Sequence, residues 1–595
     1  MSHPFKEALT KLRISSREAI SDGEKELDVF KNYLHVSRHV EIDLRKIIEA
    51  SSATPSSQLI LICGNVGDGK SHLISWLIKY HDDKVRNYKI HNDATESRDP
   101  EQTSLDYLFS SLEGFSDDRL NSGRGVDKMI LAINLGMLSN LIDDERFSRF
   151  TKLGAFIKSH RILRGDYNPE QYQSQNFEEG SSFQVINLAD YKFFQLADGV
   201  INGGLIREIF QKVTSQTKQN PFYKSYLETY INKSAPLKDA SCPMRVNYDY
   251  FCDTSVQDYI CSLLVRAIVE RKIIVSFRSL LNFIYELVVP ISLDSVNESD
   301  IVDALKNFTL QMRYDSFLLN EIFEHPDISF IHEAINEFDP SHKFNESIEV
   351  EIIKILNSNK PIEELEASDL LKNDSQLKVW LSNLAKLNTK ETNLQLVKLF
   401  VRLKKANEPG KVLHRFDHLY NIFLKNLFFY LNGDKAKLKP LYGQVKRAAM
   451  AWHGFHRDEE KVFITAGKPQ NKYRFSKEID LKADISNLKQ KYQKEIHKFP
   501  NSINLRFKTT DNPDGVVLSI DFNLFYLIQR IEEGYSPNRQ DKNRHVDFDR
   551  FVQNLTSGAY KANQLEVYEF NAQVKDSYLL EYDDEFDSYT FNKRD

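Results

Sequence analysis

Residues 59–80 read LILICGNVGDGKSHLISWLIKY. Leu59 to Cys63 is an unbroken apolar run of the length of a buried strand, and Ser71–Tyr80 follows helical periodicity. Between them, residues 64–71 satisfy GxxxxGK[ST] in full, the pattern of a phosphate-binding loop. Gly64, Gly67 and Gly69 let the backbone turn tightly enough for successive N–H groups to point at phosphate oxygens. The helix that follows presents its positive end to the same anion. Lys70 is the residue expected at the β- and γ-phosphates, and the Ser71 hydroxyl is the expected Mg²⁺ ligand. Gly64, Asn65, Val66, Gly67, Asp68, Gly69, Lys70, Ser71 and His72 therefore form the expected nucleotide-contacting set.

Outward from this stretch, strand and helix patterns alternate. Asn87–His91, MILAIN (129–134) and FQVINL (183–188) read as strands, with helical patterns over Thr103–Phe115 and 139–160. Apolar strands alternating with helices predict a parallel sheet. Upstream, residues 5–50 look helical and SSATPSS (51–57) is a linker. After about residue 240 the strand patterns stop, and 255–290 and 300–335 read as helices. INLRFKTT (503–510) and VVLSIDF (516–522) alternate apolar and polar residues around Asp511–Gly515, a hairpin signal. A helix over Asn523–Glu533 should stop at Gly534. The expected fold is an α/β P-loop NTPase core, AAA+-like, followed by an all-helical lid and middle region and a C-terminal α+β domain. The expected segments are 1–57 (N-terminal helices), 58–240 (core), 241–295 (lid), 296–450 (helical middle) and 451–595 (α+β).

The chain has 595 residues, of which 41% are hydrophobic, enough for several cores and against wholesale disorder. With 79 basic and 85 acidic side chains the net charge is −6, which excludes a globally basic nucleic-acid binder but not a local basic face. Four cysteines cannot staple a secreted scaffold, so a reducing compartment is expected. Cys242, Cys252 and Cys261 lack metal-ligand spacing and read as buried thiols. MSHPFKEALTKLR has no signal-peptide pattern. The apolar run 273–293 carries Arg278, Asn282 and Glu286 at i, i+4, i+8, the polar stripe of a packed helix rather than a membrane span. A cytoplasmic protein with no membrane contact is the expectation.

Hydrolysis needs a carboxylate at a strand end, yet MILAIN runs into Asn134-Leu135-Gly136. Asn134 could hydrogen-bond a γ-phosphate or water but is a poor Mg²⁺ partner. Asp190 after VINL, and Asp93 and Glu96 in NDATES, are the candidate acids; each is equally readable as a cap or turn residue. Arg278 is placed to reach a γ-phosphate from a lid helix or a neighbouring copy, so a homo-oligomer stays open; the competing reading pairs it with Glu286 or Asn282. Arg245, Arg266 and Arg271 are further arginines of this kind. Residues 331–370 hold ten acids against three lysines, and residues 401–450 hold eleven Lys/Arg against three acids. Lys404, Lys405, Lys411, Arg415, Lys425, Lys435, Lys437, Lys439, Lys446 and Arg447, interleaved with Phe416, Tyr420 and Tyr442, could follow a DNA backbone and stack bases. The same pattern fits the solvated side of helices whose aromatics are core. His453 and His456 lack a carboxylate or thiol partner, no nuclease motif is evident, and EYDDEFD (581–587) reads as a solvated tail.

ICGNVGDGKSHL, HNDATES, ILAINLGML, VINLADY, SFRSLLNFIYELV, FDPSHKFN (338–345) and DFNLFYLIQRIEEGY, in this order, resemble the F components (DptF-type) of DNA phosphorothioation-dependent restriction systems. The resemblance runs along most of the chain. It implies an ATPase of an anti-phage complex that acts with G and H components on DNA lacking backbone sulfur. It also implies ATP and Mg²⁺ at Gly64–Ser71. It transfers no catalytic acid: Leu135 stands where related ATPases often carry one. A nucleotide-bound signalling protein or scaffold, with little hydrolysis and no DNA contact, is the alternative.

Overall fold

The computed structural model describes residues 3–13, 29–92, 103–123, 125–160, 162–163, 177–232, 242–342, 348–360, 363–364, 390–407, 415–456, 458, 460–464, 472–479, 481–509, 512–558, 564–569, 577–583 and 585–594. The chain forms two compact units. Unit 1 comprises Met1–Gln195, Ile201–His414 and His497–Phe499; unit 2 comprises Leu196–Val200, Arg415–Ile496 and Pro500–Asp595. The border at residue 414 falls inside the basic stretch 401–450.

In unit 1, α1 (His39–Ala53) leads to β1 (Gln58–Gly64), α2 (Lys70–Tyr80), β2 (Lys89–His91), α3 (Ser104–Leu112), β3 (Lys128–Asn134), α4 (Leu135–Asp143), α5 (Thr151–Ser159) and β4 (Phe183–Asn187). The four strands form one sheet in the order β2-β3-β1-β4, parallel throughout. Gly64 pairs in register with Asn134, and Cys63 with Asn187. The loop leaving β1 therefore starts beside the ends of both neighbouring strands.

The unbroken apolar run of β1 has a direct cause: both faces of the sheet are covered. Leu59, Leu61 and Cys63 pack with Phe109 of α3, Leu138 of α4 and Phe156 of α5. Ile60 and Ile62 pack with Leu44 of α1 and Leu73 and Leu77 of α2. The expected helix over 139–160 is instead two helices. Asp144 accepts the Arg146 N–H and starts a 3₁₀ turn, Glu145–Arg149, which turns Phe147 into the core.

From Gly204 to Asn407 the described residues contain no strand. They include α6 (Gly204–Thr214), α7 (Pro243–Phe251), α8 (Thr254–Glu270), α9 (Phe277–Val288), α10 (Leu318–Glu324), α11 (Phe330–Asn336) and α12 (Lys390–Asn407). The pattern over 255–290 is divided between α8 and α9, where Lys272 takes φ +57° and Ser276 opens α9 with a capping box. Among the described residues no helix is long and apolar enough to cross a membrane.

Unit 2 contains α13 (Arg415–Leu431), α14 (Lys435–Ala451), β5 (Lys461–Ile464), β6 (Tyr473–Glu478), β7 (Lys482–Asp484), β8 (Ile503–Thr509), β9 (Asn512–Ile520), α15 (Phe522–Glu532), α16 (Val546–Gly558), β10 (Gln564–Glu569), β11 (Ser577–Asp583) and β12 (Ser588–Arg594). Antiparallel sheets run β9-β8-β7 and β12-β11-β10-β6-β5. The β8–β9 hairpin closes earlier than its sequence suggests. Pairing reaches Thr509 and Asn512, with a register shift between Phe507 and Thr509. Gly515 lies within β9 at φ +76°, where a Cβ would be 2.8 Å from the Phe507 carbonyl oxygen. α15 is followed by Gly534 at φ +93°, the left-handed stop expected there. The acidic run 581–587 is no tail: it ends β11 and enters the turn to β12, with Asp583 paired to Ser588.

Candidate functional site

The loop between β1 and α2 is shaped by glycines under separate constraints. Gly67 and Gly69 both take φ +87°. A Cβ on Gly67 would lie 2.9 Å from Ser276 Oγ, while one on Gly64 would meet Asp68 Oδ2 at 3.0 Å and Leu188 Cβ at 3.1 Å. Val66 is exposed at the tip, and Gly69 is the residue that opens α2. The Asp68 carboxylate accepts the Asn65 N–H at 2.6 Å. Burial raises the Asp68 pKa against the opposing pull of that hydrogen bond, Lys70 and Arg38.

The Lys70 ammonium folds back over the loop, donating to the carbonyls of Gly64 (3.1 Å) and Asn65 (2.7 Å). Ser71 and His72 stand in the first turn of α2. His72 Nε2 is 3.1 Å from His35 Nδ1, and His35 stacks on Trp76 at 5.0 Å and 14°. Burial, reinforced by Arg38 and Lys212, pushes the His35 pKa down to about 4, so the ring is neutral near pH 7.

Two arginines approach this loop from distant segments. Arg278, the second residue of α9, donates its backbone N–H to the Gly67 carbonyl at 3.3 Å. Its Nε is buried without a hydrogen-bond partner among the described residues. The pair considered between Arg278 and Glu286 or Asn282 does not form. Asn282 Nδ2 donates to Glu286 Oε1 at 2.5 Å, and Ser329 donates to the other oxygen at 3.1 Å.

The second arginine, Arg38, was not legible in the sequence. Its Nη1 donates to the Asp68 carbonyl at 3.1 Å, and its guanidinium lies 3.5 Å from where a Gly69 Cβ would be. It is also 3.8 Å from Glu41. Nothing in the local pattern HVSRHVEID marks that role.

Asn134 is placed beside Gly64, but its side chain caps α4, accepting the Met137 N–H at 2.7 Å. Asp190 ends a short 3₁₀ turn, Leu188–Asp190, after β4. Its charge bears on Cys63, as does that of Lys70, so both stand at the same end of the sheet. Asp190 also acts electrostatically on Lys192 and Lys498. Asn187, not Asp190, caps that turn by accepting the Ala189 N–H at 3.2 Å. Asp93 and Glu96 lie outside the described residues.

Each of the other three candidate arginines faces a carboxylate. Arg245 is near Asp249 (4.0 Å), Arg266 pairs with Glu270 (3.0 Å), and Arg271 pairs with Glu337. Tyr420 and Tyr442 are buried, Tyr420 edge-on to Phe522 (5.4 Å) and Tyr442 tilted against Phe507 (5.1 Å), so neither offers a face to a nucleic-acid base. Lys411 and the side chains of Arg415 and Phe416 lie outside the described set. All four cysteines are free thiols, and no metal-holding cluster occurs among the described residues. His453 meets Lys542 (3.1 Å), and His456 meets Tyr568 (3.0 Å). No family model, curated protein or solved structure matches this chain.

Proposed function

We propose that unit 1 binds a nucleoside triphosphate with Mg²⁺ at the 64–71 loop, and that the chain is the ATP-dependent component of a DNA phosphorothioation-dependent restriction complex. The observation that carries nucleotide binding is a left-handed glycine turn with Lys70 folded over it, met by the Arg38 guanidinium and by the backbone N–H of Arg278 from two distant segments. The residues fit the ligand. Left-handed glycines let the backbone approach and cradle phosphate oxygens, and Arg278 Nε is a buried donor without a partner among the described residues.

Lys70 would hold the β- and γ-phosphates, Ser71 the Mg²⁺, and Arg278 the γ-phosphate edge. Bound Mg²⁺ neutralises charge on the phosphates during transfer to water. Asp190, in the 3₁₀ turn that follows β4, is our choice for the acid that orients that water or holds the metal. The restriction role, action on DNA lacking sulfur, and the G and H partners rest on the resemblance of the P-loop and the ordered segments that accompany it. The backbone of DNA remains a ligand for the lysines of the basic stretch, without base stacking by Tyr420 or Tyr442.

A second reading, a nucleotide-bound scaffold with little turnover, draws on one observation. The amide of Asn134 is engaged as a helix cap, and β3 supplies no carboxylate beside Gly64.

ATP hydrolysis by the purified chain and by Lys70→Ala, with and without unmodified duplex DNA, separates the two. Turnover that depends on Lys70 and rises with DNA supports the first. Lys70-dependent ATP retention without turnover supports the scaffold. ATP binding unaffected by Lys70→Ala sinks both.

A further inference from the structure

Strand β12 is the outer strand of the five-stranded sheet, and its outer side pairs with no strand among the described residues. Natural edge strands are kept from pairing by shortness, bulges or charges. β12 is neither short nor bulged, and its charged residues are confined to one end. It is seven residues long, its register with β11 is uninterrupted from Ser577↔Arg594 to Asp583↔Ser588, and Tyr589 (71% exposed) and Phe591 (57%) stand open on one face. That face is already ordered. Tyr578 stacks on Phe591 at 5.2 Å and 7°, and Tyr582 contacts Tyr589 at 4.9 Å. The turn is ordered too: Asp583 Oδ1 accepts the N–H groups of Glu585 (2.9 Å) and Phe586 (3.3 Å), while Tyr582 donates to Asp587 (2.5 Å).

The charges along the hairpin have a direction. Asp583, Glu585 and Asp587 crowd the turn, and Lys593 stands at the other end of β12. Antiparallel pairing of two identical strands brings the acidic end of each beside the basic end of the other; parallel pairing would align like charges.

We propose that β12 is a dimerisation edge, and that its occupant is the β12 strand of a second copy, paired antiparallel about a two-fold axis through Phe591. This axis sets Phe591 opposite Phe591 of the second copy and Tyr589 opposite its Lys593. Aromatic–aromatic and aromatic–cation neighbours of this kind stabilise cross-strand pairing. The contact is isologous and closed, so it stops at two chains. It is independent of the nucleotide reading, because its evidence lies wholly in unit 2.

The test uses the full chain. Wild type should sediment as a dimer at about 50 µM, and Phe591→Lys, at an exposed position, should weaken association at least about tenfold while the monomer stays folded by circular dichroism. Directly opposed residues have Cα atoms about 4.5–5.5 Å apart, within disulfide reach. Oxidised Phe591→Cys should therefore run as a covalent dimer. Tyr589→Cys should not, since its two copies are separated by four residues, about 13 Å along the strand. The native cysteines, three of them buried, give little background. A monomer at that concentration, a dimer that Phe591→Cys fails to cross-link, or equal cross-linking at both positions would overturn the proposal.

Discussion

Gly67 meets two demands that no other residue satisfies together. It holds φ +87°, and an added Cβ would fall 2.9 Å from Ser276 Oγ, the oxygen that caps α9. Gly67→Ala must strain the backbone, displace the cap, or both. The expected cost is about 1–3 kcal/mol of stability; on the proposed nucleotide reading, the loss of ATP-dependent thermal stabilisation should be larger still. Melting curves with and without ATP check this. A variant that melts like wild type and gains the same ATP shift would show that the left-handed turn is dispensable. Gly64 is constrained by packing instead, since Leu188 and the Asp68 carboxylate close in on it. Gly67 and Gly69 thus share a left-handed backbone while Gly64 is held by packing, although the sequence pattern treats all three alike.

At the scale of the element, α9 joins the glycine loop at its first turn to a buried polar cluster further along. Burial raises the Glu286 pKa to about 7, against the hydrogen bonds from Ser329 and Asn282. His332 lies 3.5 Å away, but burial lowers its own pKa to about 4, so it brings no countercharge at neutral pH. The sign follows from the raised value. The folded state binds this proton more tightly than the unfolded chain, so the contribution is fully present at and below the usual carboxylate range. It is lost as the pH rises through about 7. Glu286→Gln keeps the polar contacts without the charge. It should stabilise the protein by about 1–3 kcal/mol at pH 8 and change little at pH 4.5. Denaturant melts at the two pH values read the difference, and equal effects at both would refute a titrating Glu286.

For the whole molecule, unit 1 is tied together by a buried ionic cluster. Arg402 of α12 is fully buried, and it bonds Asp339 (2.6 Å), Glu324 (2.8 Å) and Asn320 (2.8 Å). These partners sit on α10 and just after α11, so one guanidinium ties together segments up to 82 residues apart. Removing it strands a fully buried Asp339 carboxylate. Arg402→Ala should therefore cost about 3–5 kcal/mol, whereas a loss below about 1 kcal/mol in a denaturant titration would mean that water or a neighbouring cation takes its place.

The sequence by itself determined β1, the glycine loop and α2, and the parallel character of the sheet. Each depends on order within a few residues: two-sided burial makes a strand wholly apolar, and a tight turn before a helix demands glycine. It also marked the left-handed stop at Gly534. Tertiary structure alone decided which groups meet at the loop. Arg38 and Arg278 arrive from 30 residues upstream of Asp68 and from beyond residue 270, and no local periodicity encodes that approach. Folding likewise turned Asn134 into a helix cap, buried Tyr420 and Tyr442, and converted the acidic run 581–587 into the end and turn of a hairpin. In each case the residue type allowed two environments, and the choice between them belonged to neighbours distant in the chain.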